Sequence, residues 1–466
     1  MQMRVAFVVP RYGEAIIGGA ETAARIIAEH LVAFKGWEVE VLTSCAEDFV
    51  TWADVYPPGT EMINGVRVRR FTSAAGRDPS FHPLSAALLA DPGHASLENA
   101  ERWIDLQGPV TPAIADAAAA VGADALIFYP YLYYPTVRII DRVTTPTILH
   151  PAAHDEPALH LPVFPPVFAA ADGLVFQTTA ERDLVQGVFP VASHRQLLLG
   201  LGVDDPDDPA VGGHRTAVGH HHGAERAETS PQGAAPYLVC LGRVDSHKGT
   251  SLLATLFASY KDLHPGPLRL IFAGPVVDAP AEHPDIDVVG PVSEAEKWKL
   301  LTDAVALVSP SAWEAFSLVV AESWSARTPV LVNAACAATM EHCRRSGGGL
   351  SFGGFGQFEA AVDLLCRDEG VRNRLGARGR AYVDERFRWP QVIDRYAAFV
   401  ESVVRAVRRS DPGPEEAGTG LLHDADPDDA DSGEDLPHPV PTDGPGGDDR
   451  EGVSLGGERS QPGQRR

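Results

Sequence analysis

The sequence predicts an α/β protein made of two doubly wound halves, each a largely parallel sheet covered by helices on both faces. Three observations predict it. The chain has 466 residues, more than one ordinary core accommodates, so two domains are the natural expectation. Apolar runs of strand length alternate with stretches of helical periodicity along most of the chain. The alternation stops over residues 204–235, a stretch rich in Pro, Gly, Asp and His without periodicity, and then begins afresh.

Taken in order, Arg4–Val9 carries the continuous apolar run of a strand buried on both faces. A helix is expected over Ala20–Phe34, with Ala24, Ile27 and Leu31 on one face. Further strands are expected at Val39–Thr43, Val66–Phe71, Ala125–Tyr129, Thr147–Leu149 and Gly173–Gln177. Beyond 235 the pattern predicts strands at Tyr237–Leu241, Leu268–Ala273, Asp287–Val289, Val305–Pro310 and Val330–Asn333. Helices fall between them at Ser251–Asp262, Glu294–Thr302 and Ser317–Arg327. The expected organisation is a first domain over 1–203, a disordered linker over 204–235, a second domain over 236–389 and a final helical segment over 390–409. From 410 onward the sequence is acidic, rich in Pro and Gly and poor in aromatics, the composition of a disordered tail. Ligands of doubly wound sheets bind beyond the carboxyl ends of the strands, so the cleft between the halves is the expected site.

Composition narrows the function. A hydrophobic fraction of 44% and an aromatic fraction of 8% are globular. Net charge is −24; the tail holds 15 Asp/Glu and 4 Arg, a net of −11, which leaves −13 for the rest. So acidic a body lacks the basic footprint of a nucleic-acid binder. The five cysteines, Cys45, Cys240, Cys336, Cys343 and Cys366, show no CxxC spacing, which suits reduced thiols in the cytoplasm. The opening MQMRVAFVVPRYGE reads as a buried first strand, not a signal peptide. No run approaches the roughly 18 apolar residues needed to cross a bilayer. Peripheral attachment at the inner face of a membrane stays open.

Three segments at strand ends carry chemistry. Glu314-Ala-Phe-Ser-Leu-Val-Val-Ala-Glu322 follows the strand Val305–Pro310 and opens a helix. The free N–H groups near Ser317 and Leu318 suit an anion. Glu314 lies in the loop on the ligand side, and Glu322 lies in the helix, where it could accept from paired ribose hydroxyls. The segment Gly242–Gly249 follows Tyr237–Leu241 and places Arg243 and Lys248 where two cations grip a diphosphate. Gly18-Gly19-Ala20-Glu21 lies between a strand and a helix, and its glycines permit close backbone approach to a ligand. It is neither a P-loop nor a GxGxxG fingerprint. Each segment alone is also compatible with a capped helix or an ordinary turn.

Together these residues resemble the family 4 retaining glycosyltransferases of the GT-B fold, over roughly Arg4 to Val404 without the linker. The most specific element is the E-x7-E pair Glu314 and Glu322, in register with Arg243 and Lys248. The resemblance implies that Glu314 faces the donor sugar, Glu322 holds the nucleotide ribose, and Arg243 with Lys248 binds the diphosphate. It also implies that Gly18 and Gly19 close over the diphosphate, and that Phe316, Ser317 and Leu318 line the donor. Gly290 matches the region near the base, and 390–409 becomes a helix crossing back onto the first domain. Ser317 stands where many members have glycine.

Family members carry a histidine that reaches the donor sugar across the cleft. In His150-Pro-Ala-Ala-His154-Asp155 the pair His154-Asp155 matches best, with His150 as rival. A metal reading of His150, His154 and Asp155 is weakened by Pro151, which opposes a helix there. Trp103, Gln107, Tyr131 and Asp155 are candidates for the acceptor side, since aromatic faces suit sugar rings, although such clusters also serve as core packing.

The implied reaction is metal-independent hexosyl transfer with retention, of mannose or glucose type, from a nucleotide-diphosphate sugar to a glycan, lipid-linked or small-molecule acceptor. No cofactor or metal is expected. GDP and UDP donors fit equally. Two readings compete on the same fold, a nucleotide-sugar epimerase and a non-catalytic sugar-binding or scaffold protein.

Overall fold

The computed structural model describes residues 2–16, 18–207 and 235–410. Fourteen strands are named along these residues. The first eight are β1 (Arg4–Val8), β2 (Glu38–Ser44), β3 (Gly59–Ile63), β4 (Val66–Phe71), β5 (Ala125–Phe128), β6 (Thr147–Leu149), β7 (Gly173–Phe176) and β8 (Arg195–Leu198). They form one sheet in the order β3-β4-β2-β1-β5-β6-β7-β8, parallel except for β3 against β4. The remaining six are β9 (Tyr237–Leu241), β10 (Arg269–Ala273), β11 (Ile286–Gly290), β12 (Ala306–Ser309), β13 (Val330–Asn333) and β14 (Gly349–Phe352). They form a second, parallel sheet in the order β11-β10-β9-β12-β13-β14.

The apolar runs explain which strands are central. β5, β7, β12 and β13 are buried at every position, as parallel strands covered on both faces must be. β3 is almost wholly exposed at the sheet edge and therefore carries no apolar run. Short β8 and β14 are only half-buried and close the opposite edges.

In each sheet one strand has a neighbour on either side that is reached by chain running in opposite directions. In the first, β1 lies between β2 and β5; in the second, β9 lies between β10 and β12. The loops after β1, β5, β9 and β12 thus open at topological switch points, where doubly wound sheets bind ligands.

The helix Trp389–Ser410 is close to the expected 390–409 segment. Its buried stripe Val392, Ile393, Tyr396, Val400, Val403 and Val404 belongs to one continuous core that includes Val5, Tyr129 and Val175 of the first half and Phe316, Trp324 and Val383 of the second. Phe399 and Val403 press against Gly173 of β7, where a Cβ would collide with them. Arg408 pairs with Asp124, and Lys35 of the first helix pairs with Asp394. A helix late in the sequence therefore packs on the first sheet.

The first residues of the expected linker, 204–207, are held by ion pairs and hydrogen bonds. Asp205 accepts from Arg380 at 2.6 Å, and Asp207 pairs with Arg380 and with Arg327, each at 3.2 Å. Residues 204–207 are thus part of the fold; 208–234 and the tail over 411–466 lie outside the described residues. All five cysteines are free. No helix among the described residues is long and apolar enough to cross a membrane.

Candidate active site

The second half brings Arg243, Lys248 and Glu314 together. Past β9, Gly242 turns the chain at φ 117°, a conformation side chains rarely tolerate. Asp245 then caps the turn Ser246–Lys248, accepting the Lys248 N–H at 2.8 Å and pairing with the Arg243 guanidinium. Burial pushes the Asp245 carboxyl up, but the Lys248 N–H and Arg243 outweigh it and hold the group below its ordinary value. Gly249, at φ 77°, lies so close to Pro310 beyond β12 that a Cβ would stand 2.6 Å from the Pro310 carbonyl oxygen. That approach draws the loop after β9 against the loop after β12. Lys248 Nζ then reaches Glu314 Oε1 at 2.8 Å.

The helix at the end of this loop runs Leu318–Ser325, with Ser317 as its cap at φ 69° and ψ 78°. The Ser317 side chain makes no capping bond, and its Oγ is buried without a partner among the described residues. A left-handed residue here accounts for the glycine that the resemblance leads one to expect. Phe316 is buried with its ring edge-on to Phe387 and His342, so only its backbone faces outward chemistry. Glu322 is buried, and Lys297 donates to its Oε1 at 2.6 Å. Burial raises the Glu322 carboxyl, with Lys297 opposing. Gly290 ends β11 at φ 75° with open space at its Cβ position.

On the first sheet, the loop after β1 places Arg11 against Glu21 in the first turn of the helix Gly19–Lys35. Both are buried, and Arg11 Nη1 donates to the Glu47 carbonyl at 2.9 Å. Gly18 is the cap of this helix, in extended conformation. A Cβ on it would collide with the Glu21 carboxylate, so Gly18 makes room for the Arg11–Glu21 pair, whereas Gly19 is open on all sides.

The two histidines after β6 separate cleanly. His150 is buried, stacked on Tyr129 at 4.8 Å, with Nε2 2.8 Å from the Tyr396 hydroxyl. Burial lowers its pKa to about 3; it is a neutral histidine tying the sheet to the last helix. His154 is a third exposed, with Nε2 3.7 Å from Glu156. Asp155 is exposed and faces His160 at 3.8 Å. The structure does not gather His150, His154 and Asp155 around one point, and among the described residues no group of three or more His, Cys, Asp or Glu is placed to hold a metal ion.

The acceptor-side candidates need correction. Trp103 is a core residue packed on Phe81, and Tyr131 is a core residue packed on Phe164 and Phe168 whose hydroxyl donates to Glu156 at 2.9 Å. Neither ring offers a face to a sugar: Trp103 lies on the buried side of its helix, and Tyr131 is buried in the turn after β5. Gln107 is buried with Oε1 unpartnered among the described residues, and its backbone carbonyl accepts from Arg77 at 3.5 Å. The aromatic groups beside the loop after β1 are others: Arg11 lies over Phe49 and Trp52, and Trp52 meets Tyr133 edge-on at 5.2 Å.

Several contacts join the two halves around the cleft. The Phe49 ring lies 5.3 Å from the Arg243 guanidinium and 5.4 Å from that of Arg11. Thr178 Oγ1 donates to the Ala315 carbonyl at 3.1 Å, beside Glu314. Glu341 accepts the N–H groups of Thr179 and Ala180 at 3.2 and 2.8 Å, capping the helix Thr179–Val188 from the other half.

Residues 223–382 match the family model described as glycosyl transferases group 1. This segment is similar to the group 1 glycosyl transferases. No curated protein matches the chain. Among solved structures, sucrose-phosphate synthase from Thermosynechococcus elongatus is similar in fold at 16% identity and TM-score 0.62, covering 87% of this chain and 100% of that one. Trehalose 6-phosphate synthase from Burkholderia multivorans is similar at 12% identity and TM-score 0.60, over 87% and 100%. An Anabaena protein solved in complex with UDP and glucose is similar at 13% identity and TM-score 0.56, over 86% and 100%. The fold is GT-B, as the sequence resemblance implies.

Sequence reasoning missed Arg11, Lys297, Glu181 and Glu341. Lys297 meets Glu322 and Glu341 meets Thr179, partners far away in the chain, whereas Glu181 stands three residues after the capping Thr178, a local pattern that could have marked it. Arg11 was the most detectable, being a charge placed directly after a buried strand.

Proposed function

We propose that this glycosyltransferase moves a hexose from a nucleoside-diphosphate donor to a glycan, lipid-linked or small-molecule acceptor, with retention at the anomeric carbon and without a metal ion. The observation that carries the reading is the meeting of Lys248 with Glu314 at the ends of the adjacent strands β9 and β12, with Arg243 two residues past β9. Cations at this switch point suit a diphosphate, and a carboxylate beside them suits the hydroxyls of the attached sugar. The fold likeness to a protein solved with UDP and glucose agrees with a uridine donor.

In the proposed reaction the bond between the anomeric carbon and the diphosphate oxygen breaks while the acceptor oxygen bonds to that carbon on the same face. The acceptor proton passes to the departing phosphate oxygen, so no protein base is required. Arg243, Lys248 and the start of the helix Leu318–Ser325 stabilise the charge that builds on the leaving group. Glu314 orients the donor sugar, Glu322 the ribose, and His154 approaches the sugar from the first half. Peripheral attachment to the inner face of a membrane would fit a lipid-linked acceptor.

The test is a thermal-shift screen over UDP- and GDP-sugars with and without EDTA, followed by turnover with candidate acceptors. A true donor at about 100 times its Kd stabilises by about 2.7 kcal/mol, and EDTA leaves both the shift and the turnover intact. Lack of a shift with every nucleotide sugar would sink the donor reading. Loss of turnover with EDTA, restored by a divalent cation, would replace the metal-free reaction. Conversion of the sugar while still attached to its nucleotide would favour an epimerase.

A further inference from the structure

Glu181 lies in the first turn of the helix Thr179–Val188 with its side chain buried, and no Lys or Arg pairs with it among the described residues. Backbone donors surround it instead. Oε1 accepts the Ala153 N–H at 2.9 Å, and Oε2 accepts the Gln177 N–H at 2.7 Å. Its own N–H donates to Thr178 Oγ1 at 3.2 Å, and that hydroxyl donates onward to the Ala315 carbonyl at 3.1 Å.

The ordinary reading of Thr178-Thr-Ala-Glu181 is a capping box, in which the glutamate turns back to the N–H of the capping residue. Here the carboxyl group reaches beyond that box: Oε2 holds the end of β7, and Oε1 crosses to the loop after β6. That loop needs holding. Ala152 sits at φ 52°, a conformation that residues other than glycine seldom adopt, and His154 follows two residues later. Burial pushes the Glu181 carboxyl up to about 8, against the N–H groups of Gln177, Ala153, Ala152 and Thr178. A helix cap alone does not call for a carboxylate in so dry a place.

We propose that Glu181 is a positioning residue for glycosyl transfer: its carboxyl group holds the Ala152–Ala153 turn so that His154 meets the donor sugar, and through Thr178 it fastens that turn to Ala315, the neighbour of Glu314. The inference rests on the donor-side roles proposed above for His154 and Glu314. It accounts for two facing loops, one from each half, being fixed through a single buried group.

Steady-state kinetics of E181Q, H154A and the double variant test it, with nucleotide release as the signal and UDP binding followed by thermal shift. In E181Q one accepting oxygen becomes a donor opposite an N–H. The expected result is a kcat at least tenfold lower, with the donor KM and the UDP shift within about threefold of wild type, because the diphosphate residues lie on the other sheet. In the H154A background the same substitution costs less than threefold. Wild-type kcat in E181Q overturns the proposal, and so do E181Q and H154A effects that multiply fully. Should E181Q not fold, E181D retains the carboxyl group but withdraws it by one methylene: a lowered kcat at unchanged KM supports the proposal, and an unchanged kcat overturns it. Absence of turnover by the wild type across the donor screen removes the proposed function and this role together. Wild-type turnover with an unaffected E181Q removes this role alone.

Discussion

Lys248 and Arg243 share a loop but are held in different ways. Lys248 Nζ contacts Glu314 across two strands, whereas Arg243 pairs within its own turn with Asp245. Both side chains are about a third exposed, and ion pairs so placed contribute little to stability. Their cost is better explained by a ligand. Lys248→Ala and Arg243→Ala are each expected to lower kcat by about 10²-fold or more, with a nearly unchanged melting temperature. Near wild-type steady-state kinetics in both variants would remove the diphosphate clamp. These residues were legible in the sequence because they stand together in the short glycine-flanked segment Gly242–Gly249 that follows a buried strand. Lys297 was not, because its partner Glu322 lies on another helix and nothing local marks the pairing. Trp103 and Tyr131 misled for a related reason: composition reveals an aromatic ring but not the side of the backbone that it packs on.

At the scale of elements, the central strands were readable because burial on both faces leaves an apolar run, as in β5 and β13. Edge strands have no such signature, and β3, β8 and β14 escaped. The start of the helix Leu318–Ser325 shows a finer failure. The pattern places Ser317 inside the helix, yet the backbone puts it in the left-handed region ahead of the first turn. A side chain costs about 1–2 kcal/mol there, and the buried Ser317 hydroxyl has no partner among the described residues to offset it. Ser317→Gly removes both penalties against a loss of at most about 1 kcal/mol from the freer unfolded chain. The variant is expected to be more stable by roughly 1 kcal/mol in chemical denaturation. A destabilised Ser317→Gly would mean that the hydroxyl is engaged and that the turn is not strained.

The two halves and the last helix share one core, and two buried histidines sit at its seams. His150 joins the first sheet to Tyr396 of the last helix. His342 lies among Phe316, Trp324, Tyr382 and Phe387 of the second half. Burial lowers their pKa values to about 3 and about 4, against 6.5 for an ordinary histidine. The unfolded chain therefore takes up protons that the folded one refuses. Stability from this source is fully present above pH 6.5 and declines as pH falls, by about 1.4 kcal/mol per pH unit for each histidine. Glu181 works in the opposite direction: its raised pKa of about 8 means that the folded state holds a proton longer than the unfolded one, which favours folding as pH falls from 8 towards 4.5. A single stability curve thus mixes both signs, whereas a difference between two proteins isolates one. His150→Gln keeps a hydrogen-bonding group for the Tyr396 hydroxyl but removes the titration. Between pH 6 and 5 its unfolding free energy, measured by denaturant titration, is expected to fall less steeply than that of the wild type, by about 1.4 kcal/mol per pH unit. Identical slopes would show that His150 takes up a proton in the folded protein, and that the seam between the first sheet and the last helix admits water.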